Sequence, residues 1–114
     1  FRAAFDSGCL RYPQPSVTKV GGISEMMTIA ALAEDYPDIP LQPHSPYFGP
    51  GYLASLHVGA ALKRAPLFEY LYIWPEAHLY SHLPKPDRGT IRVPSGPGLG
   101  MDPDQGVIER FKIA

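Results

Sequence analysis

An α/β chain, in which short strands alternate with helices as in a parallel sheet, is the architecture this sequence predicts. Three observations carry that expectation. Apolar runs rich in β-branched and aromatic residues recur about 25 residues apart, around Val17, Leu41 and Phe68. Between them lie two stretches whose apolar residues step by three and four, the spacing of one helical face. The 114 residues are 45 % hydrophobic and only 18 % charged, a balance that fills a core and does not belong to a disordered chain. The 14 prolines are more than twice the ordinary share of about 5 %, so turns and loops take up much of the length. A formal charge of −1 argues against a nucleic-acid surface, which needs clustered Lys and Arg. The single Cys9 excludes an internal disulfide framework and fits a reducing, cytoplasmic setting. No apolar run approaches the ~20 residues of a membrane span.

The chain opens inside what reads as a helix already under way. Phe1, Ala4 and Phe5 fall at helical spacing and Gly8 stands where a left-handed cap belongs. The run from Cys9 to Val20 reads as the first strand, shortened by Pro13 and Pro15 and closed by Gly21-Gly22. Ser24 then caps a helix with Met26, Ile29, Ala30, Leu32, Ala33 and Tyr36 on its buried face, and Pro37 and Pro40 end it. Ile39 to His44 is the second strand, followed by a Pro/Gly loop over 45–51. The second helix is expected from about Tyr52 to Lys63, with Leu53, Leu56, Ala60 and Ala61 inward and Lys63-Arg64 favourably placed against its dipole. Leu67 to Trp74 is the third strand. Beyond it come a loop over 75–88, a short strand over 89–93, a Gly/Pro loop over 94–103, and a strand or helical tail over 107–113.

Three strands and two helices leave both sheet edges open and a helical face bare. An eight-stranded β/α barrel needs about 250 residues, so this length supplies less than half of one. The helix under way at Phe1 adds to the expectation that the chain is a segment of something longer and needs a partner.

In a parallel β/α barrel the C-terminal ends of the strands form the active-site face. Ser16 to Lys19, His44 and Glu69 stand at or in the three strands, so a histidine and a carboxylate can converge there on one substrate. The plainer alternative is that His44 bonds its own proline-rich loop and Glu69 pairs with Lys63 or Arg64. Tyr47, Phe48 and Tyr52 follow His44 and either shape a pocket or cover the barrel mouth. His78 and His82 are four apart, the spacing of a zinc pair on a helix. No third ligand accompanies them, and the surrounding prolines argue against the helix. His57 reads as a packed or capping histidine, and Gly21-Gly22 as a close-packed turn rather than an anion cradle.

Four motifs taken in order, Lys19-Val20-Gly21-Gly22-Ile23-Ser24-Glu25, His44-Ser45-Pro46, Glu69, and Pro97-Gly98-Leu99-Gly100, resemble the C-terminal part of the enolase superfamily. The closest branch is the mandelate racemase group with its acid-sugar dehydratases. The resemblance implies the last β/α units of a (β/α)7β barrel over 1–74. It further implies a loop and C-terminal segment over 75–114 that returns to a capping domain, itself absent from the chain together with the early strands. It implies abstraction of a proton α to a carboxylate, with Mg²⁺ stabilising the oxyanion that forms. His44 matches the general base. Glu69 matches the glutamate that donates a hydrogen bond to the substrate carboxylate and must be protonated to do so. Lys19, Tyr47 and Phe48 are the substrate-binding candidates.

Ser16 departs from the pattern: the racemase branch usually has an aspartate there, which orients the histidine. A serine can accept a hydrogen bond from the imidazole but brings no charge to stabilise imidazolium, so either His44 acts with another partner or this member has a weaker base or different chemistry. The Mg²⁺ ligands of the family lie upstream. Asp6, Glu25, Glu34 and Asp35 stand on the wrong elements to replace them. The resemblance therefore implies an enzyme only in combination with the rest of its barrel, the 114 residues alone being inactive. Dehydration of a small polyhydroxy carboxylate is the leading expectation, in a protein that forms homo-oligomers. The alternatives are a racemase or epimerase, a non-catalytic member, and an independent interaction domain.

Overall fold

The computed structural model describes residues 1–64 and 66–113. Four helices follow one another: α1 (Arg2–Asp6), α2 (Ile23–Ala33), α3 (Gly49–Ala61) and α4 (Gln105–Phe111). The short α1 buries Phe5 and ends into Gly8 at φ 67°, the left-handed turn that glycine makes without strain. Phe5 stacks on Tyr36 with ring centroids 4.8 Å apart, which fastens α1 to the end of the α2 region.

The α2 face matches its periodicity, with Met26, Ile29, Ala30 and Ala33 buried. Its N-cap is Gly22, at φ 94°, rather than Ser24. Ser24 lies inside the first turn, where its carbonyl accepts the Thr28 hydroxyl at 3.2 Å. The Gly21-Gly22 turn, both residues at positive φ, starts the helix sooner than a serine cap would. Likewise α3 begins at Gly49 with Pro50 in its first turn, a place where the missing N–H is no loss. It stops at Ala61 because Leu62 turns to extended backbone. Leu53 and Leu56 are buried as expected, whereas Ala60 and Ala61 are exposed. Lys63 and Arg64 lie past the helix end, and they bond to the Glu34 carboxylate and the Pro37 carbonyl.

Among the described residues the three expected strands build no sheet, and prolines explain why; the first is also cut short by a turn over 17–20, where the Lys19 and Val20 N–H groups bond to the Ser16 carbonyl. The Gln42 N–H donates to the Pro13 carbonyl at 3.0 Å and the His44 N–H to the Pro15 carbonyl at 2.9 Å. Both segments advance in the same direction, so they lie parallel. In a regular parallel ladder the Gln42 carbonyl receives the N–H of residue 15. Pro15 has none to give. Toward the third segment side chains replace the ladder: Leu67 N–H reaches the Gln42 side-chain oxygen at 2.8 Å, and Glu69 N–H reaches Ser45 Oγ at 3.0 Å. Pro43, between these two acceptors, cannot donate. The expected parallel sheet is thus reduced to side-by-side extended segments in the expected order.

The 89–93 strand is also shorter than expected. Asp87 and Thr90 form an isolated antiparallel bridge around Arg88 (φ 47°) and Gly89 (φ 81°), a two-residue reversal with both central residues left-handed. The tail expected over 107–113 resolves to α4 as far as Phe111, capped by Asp104, whose carboxylate accepts the Val107 N–H at 3.2 Å.

Packing is divided between two small clusters. Val17, Met26 and Val58 join the turn after Pro15 to α2 and α3. Tyr52, Leu53, Leu56 and Tyr80 form the other, with half-buried Phe68, Ile91 and Met101 against it. The radius of gyration is 15.7 Å, above the roughly 13 Å of a compact chain of this length. Leu67, Tyr72, Ile73 and Trp74 are exposed along one segment. None of the helices among the described residues is long and apolar enough to cross a membrane.

Candidate active site

His44 ends the second extended segment, fixed by its own N–H bond to the Pro15 carbonyl. Its Nδ1 lies 2.9 Å from Oε2 of Glu69. The same Oε2 accepts the Ser45 N–H at 3.1 Å. Both side chains remain partly open to solvent. Glu69 thus pairs with His44, and the basic residues Lys63 and Arg64, offered as its plainer partners, bond elsewhere.

Ser45 holds this pair in place. It is fully buried, its Oγ accepts the Glu69 N–H at 3.0 Å, and the same hydroxyl lies 3.2 Å from the Glu69 carbonyl, to which it donates. One small hydroxyl therefore satisfies both backbone groups of Glu69 where a strand partner is missing. Ser45→Ala removes both bonds and strands a part-buried N–H and C=O, a loss of about 1–3 kcal/mol. A lowered urea midpoint with an unchanged slope is the expected result.

Ser16 is buried, and its hydroxyl is engaged by Thr18 Oγ1 at 3.0 Å and by the Tyr47 phenol. Tyr47 in turn sets its ring edge-on to the His44 imidazole, centroids 5.6 Å apart. Burial pushes the Tyr47 phenol up, but the hydrogen bonds from Ser16 and Thr18 and the nearby Lys19 ammonium outweigh it and bring the group below its ordinary value. Lys19 itself is exposed on the turn. Phe48 is the exposed N-cap of α3 and lines, with Tyr47, Tyr52, Tyr70 and Trp74, a cavity of about 70 Å³. Tyr52 at its floor donates to the Pro84 carbonyl at 2.6 Å, and burial together with Tyr70 pushes its phenol up to about 12. Gly51 lets α3 come this close: a Cβ there would sit 2.8 Å from the Thr18 methyl and 3.5 Å from Tyr47.

His44, Glu69, Ser16 and Tyr47 thus share one place, linked through direct contacts, with Lys19 and Phe48 at its rim. His57 packs as expected, its Nε2 3.1 Å from the Leu99 carbonyl, tying α3 to the 94–103 loop. His78 and His82 lie outside any helix, so their spacing does not align them. Among the described residues no group of three or more His, Cys, Asp or Glu stands together to hold a metal ion. The chemistry within reach is proton transfer, by an imidazole whose Nδ1 lies 2.9 Å from a carboxylate oxygen. Sequence reasoning left Ser45 and Thr18 without roles. The signal for Ser45 was its setting, a lone hydroxyl between Pro43 and Pro46 where backbone donors are scarce.

Residues 1–107 match the family described as "Enolase C-terminal domain-like". The chain is 38 % identical, over an alignment of 124 residues, to D-galactonate dehydratase of Ralstonia pickettii, covering 100 % of this chain and 32 % of that protein. It is 35 % identical over 108 residues to arabinonate dehydratase of Saccharolobus solfataricus, covering 87 % and 26 %. The fold is similar to a crystal structure of a member of the enolase superfamily from Polaromonas sp. JS666, with TM-score 0.83 and 30 % identity over 98 % of this chain and 30 % of that one. The chain spans between about a quarter and a third of the length of these relatives.

Proposed function

The chain belongs to the enolase C-terminal domain-like family, and on that premise we propose that it acts as the C-terminal portion of an acid-sugar dehydratase in the cytoplasm. The arrangement that carries the reading is His44 at the end of the second extended segment with its Nδ1 2.9 Å from the Glu69 carboxylate. The imidazole takes the proton from C2 of a polyhydroxy carboxylate. The imidazolium then returns it to the departing 3-hydroxyl, which leaves as water, so one residue serves as base and then acid. A racemase would need a second, opposed base. Lys19 is placed to attract the substrate carboxylate, and Tyr47 and Phe48 to line the sugar chain.

The helices and extended segments over 1–74 are read as the last β/α units of a (β/α)7β barrel, and 75–114 as the segment that returns to a capping domain. The exposed apolar side chains of 67–74 support burial against the remainder of that barrel. The residues described in this chain do not make a magnesium site. The Mg²⁺ of the family would take its ligands from that remainder.

Deuterium exchange tests the reading. With the barrel portion present, exchange at C2 of D-galactonate or arabinonate in ²H₂O is expected, with loss of water. Absence of exchange for every acid sugar tried would overturn it.

A further inference from the structure

Ser16 stands where the family resemblance implies an aspartate that orients the histidine, and it bears no charge with which to do so. Its side chain is buried, and its hydroxyl is engaged by the Tyr47 phenol and by Thr18 Oγ1 at 3.0 Å. The preceding Pro15 carbonyl accepts the His44 N–H at 2.9 Å. Two successive residues of the first segment therefore grip both ends of the run His44-Ser45-Pro46-Tyr47, one through its backbone and the other through its side chain. Within the run Pro46 has a fixed φ, and the Tyr47 N–H closes a three-residue turn onto the Ser45 carbonyl at 2.8 Å. The Tyr47 ring meets the His44 imidazole with centroids 5.6 Å apart and planes at 88°, the edge-to-face arrangement that paired rings favour. On the other side Gly51 makes room, since a Cβ there would reach 3.5 Å from Cβ and Cγ of Tyr47.

From this geometry we infer that Tyr47 is a positioning residue for His44 and that Ser16 acts through it: the serine hydroxyl tethers the phenol, and the tethered ring holds the imidazole in one orientation. The Tyr47 ring can still border the sugar chain, but its hydroxyl serves the base. Without that wall the imidazole turns more freely about its side-chain bonds and is aimed at C2 for less of the time. Such a loss lowers kcat and leaves ground-state binding nearly unchanged. The inference rests on the reading of His44 as the base, and it gives Ser16 a role that needs no charge.

Two measurements on the protein carrying this chain with its barrel portion test it. The first is ¹H–¹³C NMR of the His44 ring, its signals assigned by their loss in His44→Asn. Tyr47→Leu is expected to shift the imidazole C–H resonances, because the ring current of its neighbour is removed. Ser16→Ala is expected to shift them partway in the same direction, because the ring loses its tether. Resonances unmoved in either variant would overturn the inference. The second is a double-mutant cycle in steady-state kinetics with Ser16→Ala and Tyr47→Phe. Each removes one hydroxyl and nearly keeps the side-chain volume, and Ser16 retains Thr18 when the phenol is gone. Each single variant is expected to lose roughly 3–30-fold in kcat with KM within about threefold. The double variant is expected to be no slower than the slower single one, within about twofold, since both break the same bond. Unchanged kcat, losses that multiply in the double variant, or a raised KM with kcat retained would refute the inference, the last by placing Tyr47 on the substrate. Because the NMR readout does not depend on turnover, the expected shifts in a protein that exchanges no C2 deuterium would uphold the tether while overturning the dehydratase reading.

Discussion

His44→Asn is expected to reduce C2 exchange and dehydration together, by roughly 10²–10⁴-fold, the usual contribution of a positioned acid–base group. Asparagine is close to histidine in size and hydrogen-bonds like it through its amide, but it accepts no proton at any accessible pH. The backbone contacts that place residue 44 do not involve its side chain: its N–H bonds to Pro15, and the following Ser45 is anchored by its own N–H and hydroxyl. The variant should therefore keep its thermal midpoint within about a degree or two while losing turnover. Exchange followed by ¹H NMR beside a circular-dichroism melt separates the two effects. Undiminished activity would make the histidine structural, and the proton-transfer role would have to be sought elsewhere.

Leu53→Ala is expected to have the largest effect on stability, about 3 kcal/mol within the 2–5 kcal/mol range for fully buried leucines. Leu53 has no exposed surface and lies between Tyr52, Leu56 and Tyr80 in one of the two small clusters among the described residues. With so little core, few neighbours can move to refill the space, and the loss is a large part of the 5–15 kcal/mol that holds an ordinary domain folded. A urea midpoint from circular dichroism reads the change. Ala60→Ser is the matched control, because Ala60 is exposed on the same helix, and it should stay within about 0.5 kcal/mol. Equal losses for both would mean that α3 is not seated as described.

The helices were legible because their signals are local. Met26, Ile29, Ala30 and Ala33 repeat at the period of α2 and are buried in it. Boundaries were less so: two glycines at positive φ start α2 ahead of the serine, and Pro50 admits a turn before Tyr52. The sheet was misjudged because β-branched and aromatic runs report a preference for extended backbone, whereas a ladder also needs donors. Pro13, Pro15, Pro40 and Pro43 remove them along two segments. At the site, residue types and order located His44 and Glu69 on adjacent segments. Their direct contact could not be read, since it depends on Ser45 tying the backbone of one to the next residue of the other. The same limit left the Ser16–Tyr47 contact unseen, for those residues are 31 positions apart.

The prolines that deny these segments a ladder have a consequence for colloidal behaviour. An extended backbone with free donors and acceptors recruits strands from other molecules. Segments 13–15 and 40–43 are poor templates, because Pro13, Pro15, Pro40 and Pro43 have nothing to donate. The run Leu67-Phe68-Glu69-Tyr70-Leu71-Tyr72-Ile73-Trp74 has no such protection inside it: it is apolar, carries one charge and is proline-free. Pro66 and Pro75 bracket it at both ends, the placement of gatekeepers around an unavoidable sticky stretch. Of the three extended segments, the octapeptide that carries Glu69 is thereby the one open to fibrillar self-association.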